Sequence, residues 1–367
     1  MSEDIETHLN EERTFSPSKE FSSNALIGNE AEYQELYQHS IKNPEEFWSK
    51  QAKDNLSWSK PFDSVLNYDF NTVGKKEGNY VEWFGGGELN ISYNCVDRHV
   101  EAGLGDKIAI IWQGEDPNEE RKISYAELQK EVSIFATSLA SLGVKKGSVV
   151  TIYLPMIPEL SIAMLACSRL GAIHSVVFSA FSPTALRARI DDCQSTHLIT
   201  SDIGYHAGKV VKLKEKADEA VANSSTISNV LVVNRGNQKV AMQKNRDSWL
   251  HELRKASEAN PHAPVAMKSE SPLFILYTSG STGKPKGVLH TTAGYLLYAT
   301  ITSKYVFDLK DDDVFWCTAD CGWITGHSYL TYGPLSNAAT VVMFEGVPTV
   351  QAYPEESVFW QIVENKK

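Results

Sequence analysis

The sequence has few cysteines, and none of them has a metal-binding or redox spacing. Its five cysteines are odd in number and widely separated among 367 residues, and no Cys-x-x-Cys occurs. A disulfide-stapled secreted scaffold is therefore excluded, and a reduced, cytoplasmic setting is expected. Cys317, Cys321 and His327 are near neighbours in sequence but match no standard zinc spacing, so we predict no metal site.

An excess of positive charge is also missing. The chain has 35 Lys+Arg against 46 Asp+Glu, which gives a net charge of -11. Proteins that bind nucleic acid usually carry a basic face or tail, so no nucleic-acid partner is expected. The first residues are acidic and polar without an apolar period. We therefore predict a disordered acidic leader over 1–26 rather than a targeting signal.

The sequence contains no uninterrupted apolar run long enough to cross a membrane. Its most apolar stretch, 160–186, contains Arg169 and His174 and is bracketed by Pro158 and Pro183. This pattern predicts a buried helix over 159–170 followed by a buried strand over 172–178. No membrane partner is expected.

What the chain does contain is a regular alternation of strands and helices. The capping box Ser124-x-x-Glu127 predicts the start of a helix, and Asn29, Asn43-Pro44 and Ser182-Pro183 predict three more. A further helix is predicted over 210–222. Apolar strands are predicted at 107–113, 149–153, 172–178, 197–200 and 229–233. This order predicts an α/β fold whose mostly parallel sheets are flanked by helices.

The sharpest motif is the segment 277–287, Tyr-Thr-Ser-Gly-Ser-Thr-Gly-Lys-Pro-Lys-Gly, which lies between predicted strands 273–277 and 288–290. Glycines let backbone N–H groups converge on an anion, hydroxyls donate hydrogen bonds, and Lys284 and Lys286 add positive charge. The segment therefore predicts a phosphate-binding loop. It is not a Walker A loop, because Pro285 prevents the following helix. The GxSxG elbow of esterases is absent too, and no catalytic triad is visible.

The segment 277–287 resembles the signature loop of the adenylate-forming, or AMP-binding, enzyme superfamily. Segments 83–90, 94–99, 316–329 and 332–346 resemble the acetyl-CoA synthetase family within it. The resemblance implies the large N-terminal domain of an adenylate-forming enzyme, truncated. It predicts an acetyl-CoA synthetase N-terminal region over 27–95 and an AMP-binding domain over 96–367 that is incomplete at its C-terminus.

The resemblance also implies an activity, that of an AMP-forming acetate–CoA ligase. In this reaction acetate and ATP give acetyl-adenylate and pyrophosphate, and CoA then displaces AMP to give acetyl-CoA. The substrates would be acetate, ATP and CoA, with Mg²⁺ brought by ATP. Acetate is already ionised at neutral pH, so catalysis would rest on positioning and on charge stabilisation rather than on a triad.

The resemblance assigns residues to three tasks. Lys284 would stabilise charge on the transferring phosphoryl group, within a phosphate loop made of Thr278, Ser279, Gly280, Ser281, Thr282, Gly283, Lys284 and Lys286. CoA would be bound where the family carries an Arg-x-Gly-Arg/Lys element, here with histidine in place of the first arginine, by His206, Ala207, Gly208, Lys209 and Thr325. The acyl pocket would be walled by Trp323, Ile324 and Thr325, a bulky set that favours acetate over longer acids.

Other interpretations of these residues remain open. Trp323 and Ile324 could belong to the core, and Lys209, Lys212 and Lys216 could form a solvated helix face rather than, with Lys214, a phosphate-steering cluster. The chain could be a non-catalytic fragment or a pseudoenzyme, could pair with a separate C-terminal half, or could prefer propionate. The family's ribose-binding aspartate and its last catalytic lysine have no counterpart here, so the isolated chain is expected not to turn over.

Overall fold

The computed structural model describes residues 13–72, 81–278, 285–347 and 358–366. The chain divides into two units, residues 1–47 and residues 48–367. The first helices along the chain are α1 Lys19–Asn24, α2 Glu30–Lys42 and α3 Pro44–Asn55.

The helices of the first unit begin at side-chain caps. Asn29 caps α2 by accepting a hydrogen bond from the backbone N–H of Glu32 at 3.0 Å, which confirms that predicted helix start. Ser18 caps α1 in the same way through the N–H of Phe21. The short α1 helix lies inside the leader predicted to be disordered over 1–26, so that prediction is wrong for 19–24. Local capping supplies partners for backbone donors that composition alone does not reveal.

The second unit holds most of the regular structure. Its strands are β1 Leu66–Tyr68, β2 Val81–Trp83, β3 Glu88–Leu89, β4 Ile108–Gln113, β5 Glu120–Ser124, β6 Val149–Tyr153, β7 Ile173–Val176, β8 His197–Ser201, β9 Gly204–His206, β10 Lys209–Val211, β11 Asn229–Val233, β12 Asp247–Trp249, β13 Met267–Lys268, β14 Pro272–Thr278, β15 Lys286–Thr291, β16 Val314–Trp316 and β17 Thr340–Phe344. Its further helices are α4 Tyr125–Ser141, α5 Pro158–Leu170, α6 Pro183–Cys193, α7 Leu213–Val221, α8 Leu250–Ser257, α9 Ala293–Val306, α10 Ile324–Gly326, α11 Gly333–Ser336 and α12 Val358–Asn365. Short turns of 3-10 or π helix lie at Phe70–Thr72, Tyr93–Asp97, Val100–Leu104 and His327–Tyr332.

Two mixed sheets organise this unit. The larger has seven strands in the order β12-β11-β8-β6-β7-β14-β15, and its strands are parallel except for the antiparallel pair β14–β15. The smaller has the order β16-β17-β4-β5, parallel except for β4–β5. The predicted α/β fold with mostly parallel sheets is confirmed.

Within the apolar stretch 160–186, residues 160–170 belong to the buried helix α5 and 173–176 form strand β7, whereas 178–185 are partly exposed and run into the start of α6. All residues of α5 except Glu159 are buried, and α5 packs against α4. The charge of Arg169 inside this helix is balanced by Asp97, because the guanidinium donates to both carboxylate oxygens at 2.8 and 2.9 Å. Within the described ranges, no helix has both the length and the apolar character needed to cross a membrane.

Local signals predicted several elements correctly and one wrongly. The capping box at Ser124 and Glu127 is present, and Ser182 caps α6. The predicted helix over 210–222 is wrong at its start, because 209–211 form strand β10 and the helix begins only at Leu213. A tight turn at residues 207 and 208 folds this stretch back on β9, and helical spacing of the lysines could not reveal that turn. Several strands were not predicted, among them β5, β12 and β17 and the two strands of the β9–β10 hairpin.

Candidate functional site

A cleft of about 330 Å³ opens at the carboxyl ends of parallel strands from both sheets. Residues that follow β6, β7, β16 and β17 line it, and α12 contributes Phe359. Both Trp323 and His206, which the sequence assigned to different substrates, lie on its wall. Clefts at this edge of α/β sheets are the usual place for ligands, because the connecting loops there leave backbone and side-chain groups free to bind.

The predicted CoA element forms the tip of the β9–β10 hairpin. His206 and Lys209 face each other in register, and the two residues between them, Ala207 and Gly208, have φ values of 52° and 73°. Positive φ at both central positions is the mark of a type I′ turn, which suits a two-residue hairpin connection. Residues 206–209 are all exposed, so the tip can meet a ligand.

The predicted acyl-pocket segment, 323–325, is exposed as well. Trp323 and Ile324 keep 49% and 42% of their surface exposed, so the interpretation of both as core residues is wrong. The centre of the Trp323 indole ring lies 6.2 Å from that of the Phe178 ring and 6.5 Å from that of the Phe181 ring. Trp323 lines the first cleft, whereas Ile324 does not.

Ile324 instead lines a second cavity, of about 490 Å³. Aromatic and aliphatic side chains make up most of its wall, and the polar groups include the hydroxyls of Tyr295 and Ser328, which are hydrogen-bonded at 3.0 Å. Two adjacent residues therefore border different spaces, Trp323 the cleft that carries His206 and Ile324 the apolar cavity.

The ends of the predicted phosphate loop are held by the larger sheet. Thr278 pairs with Lys286 at the last register position of the antiparallel β14–β15 pair. The loop residues predicted to contact phosphate, 279–284, lie outside the described residues. Just before them, the Tyr277 hydroxyl donates a hydrogen bond to Asp192 at 2.6 Å.

A row of stacked side chains joins this strand end to the first cleft. The Arg189 guanidinium lies 5.6 Å from the centre of the Tyr277 ring and 4.6 Å from that of Phe181, and Phe181 in turn contacts Trp323. Cation–π and aromatic contacts of this kind fix the relative positions of side chains. The base of the predicted phosphate loop and the predicted acyl-pocket wall are thus parts of one packed assembly.

Comparison with known proteins identifies the family. A family model described as AMP-binding enzyme matches residues 96–367. The chain belongs to the AMP-binding enzyme family. A second model, described as Acetyl-coenzyme A synthetase N-terminus, matches residues 33–95.

Curated acetyl-coenzyme A synthetases are close relatives of this AMP-binding chain. The relative from Leptospira biflexa serovar Patoc is 52% identical to this chain over 97% of the chain's length. The relative from Mesorhizobium japonicum is 53% identical over 94%, and that from Magnetococcus marinus is 51% identical over 93%. The matched region covers 53% of the Leptospira relative's own length, 52% of the Mesorhizobium relative's and 51% of the Magnetococcus relative's. The chain therefore spans about half the length of the curated relatives that it matches.

Two acidic side chains in the AMP-binding chain's cleft have altered acidity. Asp320 accepts a hydrogen bond from the N–H of Gly322 at 2.6 Å, and burial raises the pKa of its carboxyl to about 6. Burial also raises the pKa of Glu345 to about 7, against the opposing effect of Arg235. Both groups are therefore less readily ionised than an exposed carboxyl.

Cys321 and His327, two of the three residues compared above with zinc spacings, have contacts with backbone carbonyl groups. The Cys321 thiol lies 3.8 Å from the carbonyl oxygen of Gly326, and a ring nitrogen of His327 lies 3.1 Å from that of Trp323. Burial lowers the pKa of His327 to about 4, so this imidazole is neutral. In the part of the chain that the structure describes, no three His, Cys, Asp or Glu side chains are grouped closely enough to hold a metal ion.

The predicted basic cluster after the hairpin is partly wrong. Lys214 is buried, and its ammonium group is paired with Asp218 at 2.7 Å and with Asp247 at 2.9 Å, so its charge is not available to a ligand. Lys212 is paired with Glu215 at the surface. Lys209 lies on strand β10 and Lys212 precedes α7, so the alternative of one solvated helix face is wrong too.

The sequence analysis missed three residues that hold the β9–β10 hairpin in place. Glu345 lies in the quoted segment 332–346 but was given no role, and Glu115 and Arg235 were not singled out. Glu115 and Glu345 both accept hydrogen bonds from backbone N–H groups of the hairpin. No local pattern marks them, because their partners lie 93 and 140 residues away in sequence.

Proposed function

We propose that this chain provides the substrate-binding part of an AMP-forming acetate–CoA ligase. In the first step a carboxylate oxygen of acetate attacks the α-phosphorus of ATP, and pyrophosphate leaves. In the second step the sulfur of CoA attacks the acetyl carbonyl, AMP leaves, and the thiol proton is released. The observation that carries the proposal is that the adjacent residues Trp323 and Ile324 line two different spaces, the cleft that bears His206 and an apolar cavity.

In this proposal the two cavities have separate tasks. The methyl group of acetate would lie against Ile324, with Trp323 and Thr325 completing the wall. CoA would approach along the cleft, with its phosphates at the hairpin tip 206–209 and its thiol directed toward Thr325. Because the same short segment borders both spaces, the thiol can reach the acyl group without either substrate leaving its cavity.

ATP would be bound at the loop between β14 and β15. Residues 278–284 and Lys286 supply the hydroxyl, backbone and ammonium groups suited to the β- and γ-phosphates, and Lys284 would stabilise charge on the phosphoryl group as it transfers. Mg²⁺ would arrive with ATP and keep several of its waters. The exposed position of Thr278 and Lys286 supports an open approach to this loop.

We further propose that activity requires the rest of the family's length. The chain covers about half of its curated relatives, so a complementing C-terminal half, in the same or a separate polypeptide, would close the site. A cytoplasmic location is proposed as well, because all five cysteines, each within the described residues, are free thiols.

Acetate-dependent exchange between pyrophosphate and ATP tests the proposal. The assay compares this chain alone, the chain mixed with the C-terminal half of the Leptospira relative, and the two joined in one polypeptide. Exchange that needs acetate and the second half supports the ligase. Exchange absent from all three, with CoA still bound by the chain, would indicate a non-catalytic binding protein.

Lys284→Ala in the joined polypeptide tests the assigned phosphate loop. We expect roughly a hundredfold slower exchange, the size typical for removal of a donor that stabilises transition-state charge. Lys130→Ala is the matched control, because Lys130 is an exposed lysine on α4. Equal exchange in both variants would remove the loop from the mechanism.

Ile324→Ala tests the acyl pocket and separates acetate from propionate. One methylene in an apolar pocket changes selectivity by about 1–3 kcal/mol, so propionate should gain on acetate by roughly tenfold or more. If propionate is already the better substrate of the unsubstituted protein, the proposed acid is wrong while the reaction type stands.

A further inference from the structure

The β9–β10 hairpin stands apart from both sheets. Within the described residues, its two strands pair only with each other, and its tip is fully exposed. Isolated two-stranded hairpins are at best marginally stable in water. The turn also places Ala207 at φ 52°, which an alanine adopts only with strain. Contacts from elsewhere must therefore hold this hairpin in its observed shape.

Two buried glutamates from different parts of the chain supply such contacts. Glu115, in the loop after β4, accepts a hydrogen bond from the N–H of Gly208 at 2.9 Å. Glu345, directly after β17, accepts one from the N–H of Tyr205 at 3.3 Å. The side chain of Glu345 is 1% exposed. One carboxylate therefore holds the tip of the hairpin and the other holds its first strand.

Arg235 ties the second of these glutamates to a wider network. Its guanidinium donates to Glu345 at 2.8 Å and, through both terminal nitrogens, to Glu119 at 2.8 and 2.6 Å. It also lies between two rings, 4.8 Å from the centre of Tyr205 and 5.0 Å from that of Trp112. The Tyr205 ring and the Tyr205 N–H are thus held by the same ion-pair network.

The charges show how this network can act near an anionic ligand. A free carboxylate beside a phosphate site would repel the ligand. Glu345 and Glu119 are instead bonded to Arg235, and Glu115 uses an oxygen on a backbone N–H of the hairpin. Arg235 in turn directs its donors at glutamates. Arg235, Glu345 and Glu119 are therefore suited to hold the hairpin and not to contact the ligand. Glu115 holds it through one oxygen only, because its other carboxylate oxygen is buried without a hydrogen-bond partner among the described residues.

We propose that Glu115, Glu345 and Arg235 are positioning residues for CoA, which hold the hairpin so that His206 and Lys209 meet its phosphates. The inference rests on the proposed function, in which this hairpin binds CoA. It adds that affinity for CoA depends on three residues that do not touch it.

Amide hydrogen exchange in the full 367-residue chain tests the positioning directly. Glu115→Ala should speed exchange across 204–211 and leave the β14–β15 strands unchanged. The exposed N–H of Gly208 can bond to water instead, so this variant is expected to fold. Unchanged exchange at 204–211 would overturn the inference.

Calorimetric titration with CoA supplies the functional readout. We expect Glu115→Ala to weaken CoA binding by about tenfold, the size seen when a group that orients a binding residue is lost. Glu115→Gln should restore most of the affinity, because its side-chain carbonyl can still accept from Gly208. Lys209→Ala should weaken CoA binding without faster exchange across 204–211, because Lys209 would contact the ligand itself.

Arg254 provides a matched control. It also pairs with two glutamates, Glu131 and Glu258, but these lie on α4 and just after α8. Arg254→Met should leave both CoA affinity and exchange across 204–211 unchanged, whereas Arg235→Met should alter both. Should Arg235→Met fail to fold because Glu345 is left unpaired, Glu115→Ala still decides the inference.

The two proposals fail in distinguishable ways. If neither the unsubstituted chain nor the joined polypeptide binds CoA, the proposed CoA site is wrong, and hydrogen exchange alone shows whether the glutamates hold the hairpin. If the unsubstituted chain binds CoA and Glu115→Ala binds it equally well, the inference is overturned while the proposed function stands.

Discussion

The two segments predicted to bind phosphate are held in different ways. The ends of the loop between β14 and β15 belong to the seven-stranded sheet, and backbone pairing that runs unbroken from Phe274 to Thr278 fixes their register. The hairpin at 206–209 pairs with neither sheet and is held by side chains from three other segments. Backbone pairing tolerates most substitutions, whereas side-chain bracing depends on a few particular residues.

Because the two segments are held differently, different substitutions should disrupt them. Loss of the β14–β15 segment should require damage to the protein core, because most of β14 is buried there, although β15 is largely exposed. Loss of the hairpin's shape should require only the change of one bracing side chain, with the core intact. The following predictions test this distinction, from the largest expected effect to the smallest.

Phe274→Ala should have the largest effect and should act on the whole unit. Phe274 is fully buried, and its ring lies 4.4 Å from that of His290 and 4.5 Å from that of His327. Removal of a buried phenylalanine costs about 3–5 kcal/mol, which urea unfolding would measure. Tyr68→Ala is the control, because Tyr68 is 65% exposed. A similar small loss in both variants would contradict the view that the core holds this strand.

Glu345 should make stability depend on pH. Its pKa is raised from 4.5 to about 7 in the folded chain, so between these values the folded state keeps a proton that the unfolded state releases. The free energy of unfolding should therefore fall as pH rises through this window, by an amount on the order of 1–3 kcal/mol.

Glu345→Gln should flatten that pH profile, and Glu131→Gln on the Arg254 pair should not. Unfolding in urea at intervals between pH 4.5 and 7.5 measures the slope. An unchanged slope in Glu345→Gln would show that another group causes the pH dependence.

Ala207→Asn should stabilise the hairpin without touching the core. Asparagine tolerates positive φ better than alanine and precedes glycine in the favoured type I′ sequence, so we expect a gain of about 0.5–1 kcal/mol in local stability. Slower amide exchange across 204–211 would show it. The same change at Ala188, an exposed position of α6, should instead destabilise slightly because asparagine is a poor helix former. Faster exchange in Ala207→Asn would contradict the assigned turn.

Lys212→Ala should have the smallest effect. Lys212 and Glu215 form an exposed pair, 68% and 64% accessible, and such pairs contribute less than about 0.5–1 kcal/mol. Stability and CoA affinity should both stay near those of the unsubstituted chain, whereas Lys209→Ala should weaken CoA binding. If the two lysines prove equally important for CoA, the ligand covers more of this surface than the hairpin tip.

Much of the architecture could be predicted from short stretches of sequence. The capping box at Ser124 predicted α4, the apolar run before the signature loop predicted β14, and Arg169 and His174 within the stretch 160–186 predicted a buried helix and strand rather than a membrane span. Each of these signals depends on residues a few positions apart, which are neighbours in any fold. The family could be predicted for the same reason, since its motifs are contiguous.

Placement of side chains from distant segments could not be predicted in this way. Lys214 looks like a surface charge until β12 brings Asp247 beside it. Arg235 is hydrogen-bonded to Glu119 and Glu345, which are 116 and 110 residues away from it in sequence. Neither the burial of a lysine nor the partner of an arginine is visible in a local pattern.

The sequence by itself determined the alternation of strands and helices, the caps, the signature loop and hence the family. The tertiary structure alone decided that residues 323 and 324 line two different cavities, and that glutamates 93 and 140 residues from their partners hold the β9–β10 hairpin. The physical reason is the separation in sequence between the residues that interact. Backbone conformation follows from adjacent residues, whereas ion pairs and cavity walls exist only where strand ends from separate parts of the chain meet.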